Sequence, residues 1–188
     1  MNKDGRSKVT EAMSKKNTIG KVLYTQDEIW KRSKEIAKQI SKDFEGEKVV
    51  LIGTLRGAIL WMSDIMKNIT LETEIDFIVA SSYGSGTTST GLVKISKDIE
   101  TDIYNKNVII VEDIIDTGTT LVSLIERLKD RNPKCIKVCT MLDKPSGRKV
   151  DFTAEYTGFT VDDLFIIGYG LDFDQKYRDL PYISYLEG

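Results

Sequence analysis

Three acidic residues and a run of small hydroxyl residues follow one apolar segment of the sequence. Val108 to Val111 is apolar, Glu112, Asp113 and Asp116 come next, and Thr117-Gly-Thr-Thr120 leads into a helical pattern. Backbone N–H groups, hydroxyl donors and the helix dipole at such a position favour binding of an anion such as phosphate. The carboxylates just before them suit ribose hydroxyls or a hard cation such as Mg2+. This segment therefore predicts a site for a sugar phosphate.

The same residues also have a purely structural interpretation. In that interpretation Asp116 or Thr117 only caps the helix, while Glu112 and Asp113 face solvent. A nucleotide-binding P-loop is excluded, because G-x-x-x-x-G-K-[ST] occurs nowhere in the sequence. Gly84, Gly86 and Gly91 do not have the dinucleotide-binding spacing either, since position 89 is Ser.

Composition narrows the chemistry further. The 188 residues include no histidine, which excludes histidine-based zinc sites, Ser-His-Asp and Cys-His catalysis, and a histidine pH switch. A net charge of −2 gives no global reason to expect nucleic-acid binding. Cys135 and Cys139 are expected to be free thiols on one face of a strand in a reducing compartment. With neither an apolar run of about 18 residues nor a signal-peptide core, the sequence predicts a cytoplasmic protein without a membrane segment.

Strands and helices alternate along the sequence, which predicts an α/β protein. Thr25-Gln-Asp-Glu28 fits a capping box, and the helix after it runs to about Phe44. Strands separated by helices imply a doubly wound, mostly parallel sheet with right-handed crossovers. The predicted strands are 48–55, 74–82, a returning strand 92–97, 107–112, 136–142, 155–159 and 164–169; the other predicted helices are 58–67 and one with Leu121, Leu124, Ile125 and Leu128. We expect residues 1–18 to be a disordered leader and residues 19–188 to be a single domain.

The thirteen residues from Val108 to Thr120 resemble the phosphoribosyl-diphosphate (PRPP) signature of type I phosphoribosyltransferases. Other segments resemble one branch of that family, the hypoxanthine-guanine phosphoribosyltransferases, over roughly residues 19 to 187. The segments that carry this resemblance are Leu55-Arg-Gly-Ala58, Ser82-Tyr83, Lys144 in Met-Leu-Asp-Lys-Pro, Phe165-Ile-Ile-Gly-Tyr-Gly-Leu-Asp172 and Arg178 in Tyr-Arg-Asp-Leu. The resemblance implies a central, mostly parallel sheet flanked by helices, with a small hood formed by the terminal segments.

The resemblance also implies an activity, namely transfer of the 5-phosphoribosyl group from PRPP to N9 of hypoxanthine or guanine, with Mg2+ as cofactor. It implies that Asp116 is the acid or base at N7 of the purine and that Tyr83 begins a loop that closes over the site. The implied PRPP-binding residues are Leu55, Arg56, Gly57, Ser82, Glu112, Asp113, Asp116, Thr117, Gly118, Thr119, Thr120 and Arg178. The implied purine-binding residues are Lys144, Phe165, Ile166 and Asp172, and the implied Mg2+ ligands are Asp172, Glu112 and Asp113. A homodimer or homotetramer is expected, with no nucleic-acid or membrane partner.

Two positions differ from what is most frequent in the family, and rival functions stay open. Arg56 stands where Lys is more frequent, and Thr119 where some members have Lys. One rival is a regulator that keeps the fold but only binds, such as an RNA-binding attenuator or a purine repressor. The other is an enzyme for xanthine, adenine or uracil. Lys144 favours a 6-oxopurine over adenine, because an ammonium group has donors and no acceptor, but it does not rank hypoxanthine, guanine and xanthine.

Overall fold

Near-continuous apolar segments form the middle of a six-stranded sheet. The fold is that of a computed structural model, which describes residues 18–82 and 93–187, without the side chains of residues 81, 82 and 93. The strand order is β4-β3-β2-β5-β6-β7, and every neighbouring pair is parallel except β3 and β4, which are antiparallel. These strands are β2 (Val49–Thr54), β3 (Thr73–Ser82), β4 (Val93–Lys97), β5 (Asn107–Ile115), β6 (Cys135–Asp143) and β7 (Tyr156–Thr160). All residues of β2 are buried, as expected for a strand that is covered on both faces.

In the described part of the chain, three helices cover the two faces of this sheet. Helix α1 (Gln26–Asp43) begins with the predicted capping box, in which Thr25 and Glu28 each bond the other's backbone N–H. Helices α2 (Ile59–Asn68) and α3 (Thr119–Lys129) follow strands β2 and β5. Alternate strand residues face opposite sides, so Leu51 and Ile109 pack with α1 and α2, while Val50 and Ile110 pack with α3.

A second sheet brings the two ends of the described chain together. Strands β1 (Thr18–Ile19), β9 (Ser184–Glu187) and β8 (Phe165–Ile167) pair antiparallel in the order β1-β9-β8. Tyr169, Leu171 and Ile183, which adjoin this sheet, are buried in the same core as α1 and α2. This three-stranded sheet is the predicted hood, and with the central sheet it confirms the predicted fold class.

The predicted strand–helix alternation is wrong for the last third of the chain. Residues 144–155, between β6 and β7, form a 3₁₀ turn (Pro145–Gly147) and irregular chain rather than an α-helix. Strand β8 is not part of the central sheet at all. Only four residues, 161–164, separate β7 from β8, and a parallel neighbour needs a connection of about a dozen residues.

One local expectation is also wrong, and others are not tested. Strand β5 does not end at Glu112, because its pairing with β6 continues to Ile115. Arg178 lies in irregular chain, where the neighbouring Asp174, Gln175 and Tyr177 have positive φ angles. The expected leader (apart from Thr18) and Tyr83 lie outside the described residues. No helix in the described part of the chain is long and apolar enough to span a lipid bilayer.

Candidate active site

A cavity of about 360 Å³ opens at the carboxyl ends of the central strands. In an open parallel sheet, this edge is where ligands bind. Eleven of the predicted site residues line the cavity, and they are Leu55, Arg56, Gly57, Glu112, Asp113, Asp116, Thr117, Gly118, Thr120, Asp172 and Arg178. Segments that lie far apart in the sequence therefore meet at one place.

The loop after β2 and the acidic pair of β5 are in direct contact. A Cβ atom at Gly57 would lie 1.4 Å from Asp113 Oδ2, so this position admits no side chain while Asp113 stays in place. Thr54, the last residue of β2, donates a hydrogen bond to Glu112 Oε1 over 2.7 Å. The Leu55–Arg56 peptide bond is cis. The loop residues that the sequence singled out thus form one wall of the cavity, with the two acids beside them.

Glu112 and Asp113 share an environment that opposes two negative charges. Burial and the neighbouring charge of Asp113 raise the pKa of Glu112 well above its usual range. Burial also raises the pKa of Asp113, although hydrogen bonds from Glu112 and the Ile114 backbone N–H act against that rise. A ligand that brings hydroxyl donors or positive charge to these carboxylates would remove this penalty.

The start of α3 has the geometry of an anion site. Its N-cap is Gly118, with a φ angle of +78°, and glycine has no side chain that could cap the helix. The Asp116 carboxylate points elsewhere, because a Cβ atom at Gly147 would lie 1.6 Å from Asp116 Oδ1. Thr119 does not line the cavity, and its hydroxyl lies 3.0 Å from that of Thr117. The interpretation in which Asp116 caps α3 is therefore wrong.

Arg178 and Asp172 form a second wall of the cavity, next to the loop after β2. Arg178 Nη2 pairs with Asp172 Oδ1 over 2.7 Å, and Arg178 Nη1 donates to the carbonyl of Gly170 over 2.7 Å. The Nε atom of Arg178 is buried and has no hydrogen-bond partner in the described part of the chain. Since buried donors normally have partners, this atom is a candidate contact for an anionic ligand.

Of the predicted purine-binding residues, Asp172 lines this cavity, whereas Lys144, Phe165 and Ile166 are not part of its lining. Lys144 Nζ is 2.9 Å from Asp163 Oδ1, 3.4 Å from the Leu164 carbonyl and 3.6 Å from Asp116 Oδ2. The hydrogen bond with Asp163 raises the pKa of Lys144 although burial opposes the rise, so this amine is charged at neutral pH. Asp116 therefore connects Lys144 with the cavity.

The aromatic side chain of Phe165 is available for stacking. It is 53% exposed, which is unusual for a large apolar residue on a strand, whereas the next residue, Ile166, is buried. Phe173 packs edge-on against Phe165, with 5.4 Å between the ring centroids. Phe165 is therefore not part of the core, and its exposed ring is open to a planar base.

A match to a known protein family agrees with this geometry. Residues 21–174 match the model of the phosphoribosyl transferase domain, which is most of the chain. The chain belongs to the phosphoribosyl transferase family. The cavity described above thus lies in a phosphoribosyl transferase domain, and its Val108–Thr120 segment is the one whose pattern resembles the PRPP signature.

Several named members of this family are similar over nearly the whole chain. The hypoxanthine-guanine phosphoribosyltransferase of Streptococcus thermophilus is 46% identical over 90% of this chain and 94% of its own. That of Bacillus subtilis is 45% identical over 92% and 96% of the two chains. A crystal structure of a hypoxanthine-guanine phosphoribosyltransferase from Bacillus anthracis superposes with a TM-score of 0.87, at 48% identity, over 90% of this chain and 100% of that one.

Three residues at this phosphoribosyl transferase site were missed by the sequence analysis. Arg148 donates hydrogen bonds to the carbonyls of Ile115, Asp116 and Phe152 and pairs with the Asp143 carboxylate. Asp163 bonds Lys144, and Phe173 supports Phe165. No motif marks these positions. Their roles depend on contacts between residues 4 to 33 positions apart, which the spacing of residue types does not reveal.

Proposed function

We propose that the chain transfers the 5-phosphoribosyl group of PRPP to N9 of a 6-oxopurine, hypoxanthine or guanine, and releases diphosphate. The observation that carries this proposal is the single cavity that joins the start of α3, the Glu112–Asp113 pair and the two arginines Arg56 and Arg178. PRPP needs all three, because it has a 5′-phosphate, a ribose diol and a diphosphate. The activities for which the similar proteins are named support hypoxanthine and guanine as the bases.

Each part of PRPP has a matching set of groups in the proposal. Backbone N–H groups and hydroxyls from Thr117 to Thr120 hold the 5′-phosphate at the N-terminus of α3. Glu112 and Asp113 accept hydrogen bonds from the ribose hydroxyls. Arg56 and Arg178 bind the diphosphate, whose negative charge grows as the bond to the anomeric carbon breaks. Catalysis then comes from positioning both reactants and stabilising the leaving group.

The base is read and deprotonated beside this cavity. Lys144 donates to the 6-oxo oxygen, while Phe165 stacks on the ring and Ile166 and Asp172 complete the base site. Asp116, within 3.6 Å of Lys144, exchanges the proton at N7 of the purine. The loop that begins at Ser82 and Tyr83 excludes water from the reacting centre, since water would hydrolyse an oxocarbenium-like intermediate.

The donor set fits Mg2+ that is bound mainly through the substrate. No group of three or more carboxylate or thiol side chains within residues 18–82 and 93–187 could hold a metal ion by itself. Mg2+ commonly uses one or two carboxylates together with substrate phosphates and water. Asp172, Glu112 and Asp113 border one cavity with two arginines, and they would hold the ion there. When bound, Mg2+ supplies positive charge at the diphosphate.

We also propose a cytoplasmic homodimer or homotetramer without nucleic-acid or membrane partners. The charge balance supports the absence of a nucleic-acid partner, and the free thiols of Cys135 and Cys139 support the cytoplasm. The oligomer is what the resemblance to hypoxanthine-guanine phosphoribosyltransferases implies. Light scattering would measure the mass in solution, and a monomer would contradict it.

One assay tests the proposed activity. The protein is incubated with PRPP and MgCl₂ and, in separate reactions, with hypoxanthine, guanine, xanthine, adenine or uracil, and the nucleotide and diphosphate formed are measured. We expect equal amounts of nucleotide and diphosphate with hypoxanthine or guanine, little product with adenine, and none when EDTA replaces MgCl₂. PRPP binding without product would favour a regulator that only binds, and preference for adenine or uracil would overturn the proposed base.

A further inference from the structure

A buried phenol–carboxylate pair links the two walls of the cavity. Tyr169 Oη donates a hydrogen bond to Asp64 Oδ2, and both residues are 6% exposed. Asp64 belongs to α2, and its other oxygen pairs with Lys67 over 2.9 Å. Neither Tyr169 nor Asp64 lines the cavity, so neither is expected to touch substrate.

On the Asp64 side, helix α2 is continuous with the diphosphate-binding loop, residues Leu55 to Gly57. The N–H of Ala58 bonds the carbonyl of Thr54, and the N–H of Ile59 bonds that of Arg56. A shift of α2 therefore moves this loop.

On the Tyr169 side, the turn from Gly168 to Leu171 holds Asp172 and Arg178. Tyr169 has a φ angle of +49°, and its N–H bonds the carbonyl of Leu180. The carbonyl of Gly170 accepts from Arg178, which in turn pairs with Asp172. The turn and the Asp172–Arg178 pair thus form one unit.

The two sides touch at two places, through one exposed hydrogen bond and through backbone atoms. Arg56 Nη1 donates to Gln175 Oε1 over 2.9 Å at the surface. A Cβ atom at Gly170 would lie 2.0 Å from the carbonyl oxygen of Gly57. Because the backbone contact has no side chains and the Arg56–Gln175 hydrogen bond is exposed, a buried interaction is better placed to fix how the turn sits on the loop. The Tyr169–Asp64 hydrogen bond is suited to that, since burial and Asp64 raise the pKa of Tyr169 and the phenol remains a donor at neutral pH.

We propose that Tyr169 and Asp64 are positioning residues, which set the separation between the diphosphate-binding loop and the Asp172–Arg178 pair and thereby the affinity for PRPP. This inference rests on the proposed function. It assigns a role in PRPP binding to the turn that follows strand β8 of the hood, although the side chains of Tyr169 and Asp64 lie outside the cavity.

The chain contains a matched control. Tyr156 is 2% exposed, and its hydroxyl donates to Asp43 Oδ2 over 2.8 Å. This pair joins β7 to the end of α1 and lies outside the cavity lining. Tyr156→Phe therefore removes the same kind of hydrogen bond without touching either wall.

The experiment compares Tyr169→Phe with Tyr156→Phe in the full chain. Calorimetry measures the Kd for PRPP in MgCl₂, steady-state kinetics give kcat and the two KM values, and melting reports stability. We expect Tyr169→Phe to weaken PRPP binding about 5- to 30-fold, with the KM for hypoxanthine within about twofold. Tyr156→Phe should lower the melting temperature by a similar amount and leave the Kd for PRPP unchanged.

Substitutions of Asp64 give a second test that does not depend on the tyrosine variant. Asp64→Asn keeps an oxygen acceptor for the phenol and should bind PRPP within about threefold of the unaltered chain, whereas Asp64→Leu should match Tyr169→Phe. The inference is overturned if the two tyrosine variants change the Kd equally, or if Asp64→Asn and Asp64→Leu are equally damaging. PRPP binding by the unaltered chain without nucleotide formation would instead overturn the proposed function, while the binding comparison would still decide this inference.

Discussion

Gly57 and Gly147 each lie against a carboxylate of the candidate active site. The position of a Cβ atom would be 1.4 Å from Asp113 Oδ2 at Gly57 and 1.6 Å from Asp116 Oδ1 at Gly147. Contacts this short mean that the carboxylate occupies the space of the missing side chain. Each acid can therefore keep its present position only while the neighbouring loop residue is glycine.

Gly57→Ala should impair PRPP binding more than it destabilises the fold. The added methyl group forces Asp113 into another rotamer, and such overpacking costs about 1–3 kcal/mol. We expect kcat/KM for PRPP to fall about tenfold or more. Gly46→Ala is the control, because a Cβ atom there meets nothing within 4 Å although the φ angle is +78°; it should lower the melting temperature only. Equal kinetics in both variants would contradict the role of Gly57.

Asp116→Asn tests the proposed proton exchange. Asparagine keeps the shape of the side chain but cannot take up a proton, so kcat should fall about 10²–10⁴-fold. The Kd for PRPP should change much less, since the Asp116 carboxylate points toward Lys144 and away from the start of α3. An unchanged kcat with weaker PRPP binding would make Asp116 a residue of the phosphate site instead.

Lys144→Ala tests how the base is read. Without the ammonium donor, turnover of hypoxanthine and guanine should fall far more than the already low rate with adenine, because sites that bond a substrate group can reject analogues without it by up to about 10⁴–10⁵. The variant should not become a good adenine enzyme, since no acceptor replaces the donor. An unchanged ratio of hypoxanthine to adenine in kcat/KM would exclude Lys144 and favour backbone groups near Ile166.

At the scale of elements, Asp113 belongs to strand β5 together with Glu112, rather than to the loop after it. The apolar run predicts a strand that ends at Glu112, yet the pairing of β5 with β6 continues through Ile114 and Ile115. Sequence periodicity cannot locate that end, because partner strands supply the hydrogen bonds that extend it. The extension places Glu112 and Asp113 on a rigid element, which suits a binding site.

The segment after β6 holds the start of α3 in place through Arg148. Arg148 bonds the carbonyls of Ile115 and Asp116, and the N–H of Lys149 bonds that of Thr117. These contacts fix the backbone just before Gly118, where we place the 5′-phosphate.

Arg148→Met should therefore cost both stability and phosphate binding. The side chains of Arg148 and Asp143 are only 15% and 22% exposed, and breaking such a pair leaves a charge and several carbonyls without partners, at a cost of about 2–4 kcal/mol. Urea unfolding measures this loss. Arg127→Met, which breaks an exposed pair with Asp98, should cost only about 0–1 kcal/mol. If a second substitution, Asp143→Asn, restores the free energy of unfolding, the unpaired charge of Asp143 is the main cause of the loss.

At the scale of the whole molecule, the sequence predicts the central sheet better than the hood. Buried runs such as Val49–Thr54 are recognisable because both faces of a central strand are apolar. Strand β8 has the same apolar character, but its partner is β9, near the end of the chain. The two-residue β1 carries too few residues for any periodicity. The sheet to which β1 and β8 belong depends on pairing between distant parts of the chain, so it cannot be predicted from local sequence.

The ionisation of Asp76 and that of Glu112 change the stability of the ligand-free protein with pH in opposite directions. Asp76 is buried, but backbone N–H groups of Thr101, Phe77 and Glu100 hold its pKa below the usual range, so Asp76 contributes stability that is lost as the pH falls. Glu112 has the opposite sign. Its pKa is raised by burial and by Asp113, so the folded state binds more protons than the unfolded state, and stability falls as the pH rises through the raised value.

Glu112→Gln should therefore stabilise the ligand-free protein at neutral pH while it weakens PRPP binding. Glutamine keeps an oxygen that can accept a hydrogen bond from Thr54 but carries no charge. We expect the free energy of unfolding to rise by about 0.5–2 kcal/mol at pH 7.5. The gain should shrink toward pH 4, where Glu112 of the unaltered chain is protonated in both states. Melting temperatures from pH 4 to pH 8 measure this trend, with the exposed Glu126→Gln as control. A gain that is independent of pH, or a loss at pH 7.5, would contradict it. Reduced PRPP affinity in the stabilised variant would indicate that Glu112 is retained for binding, at a cost in stability.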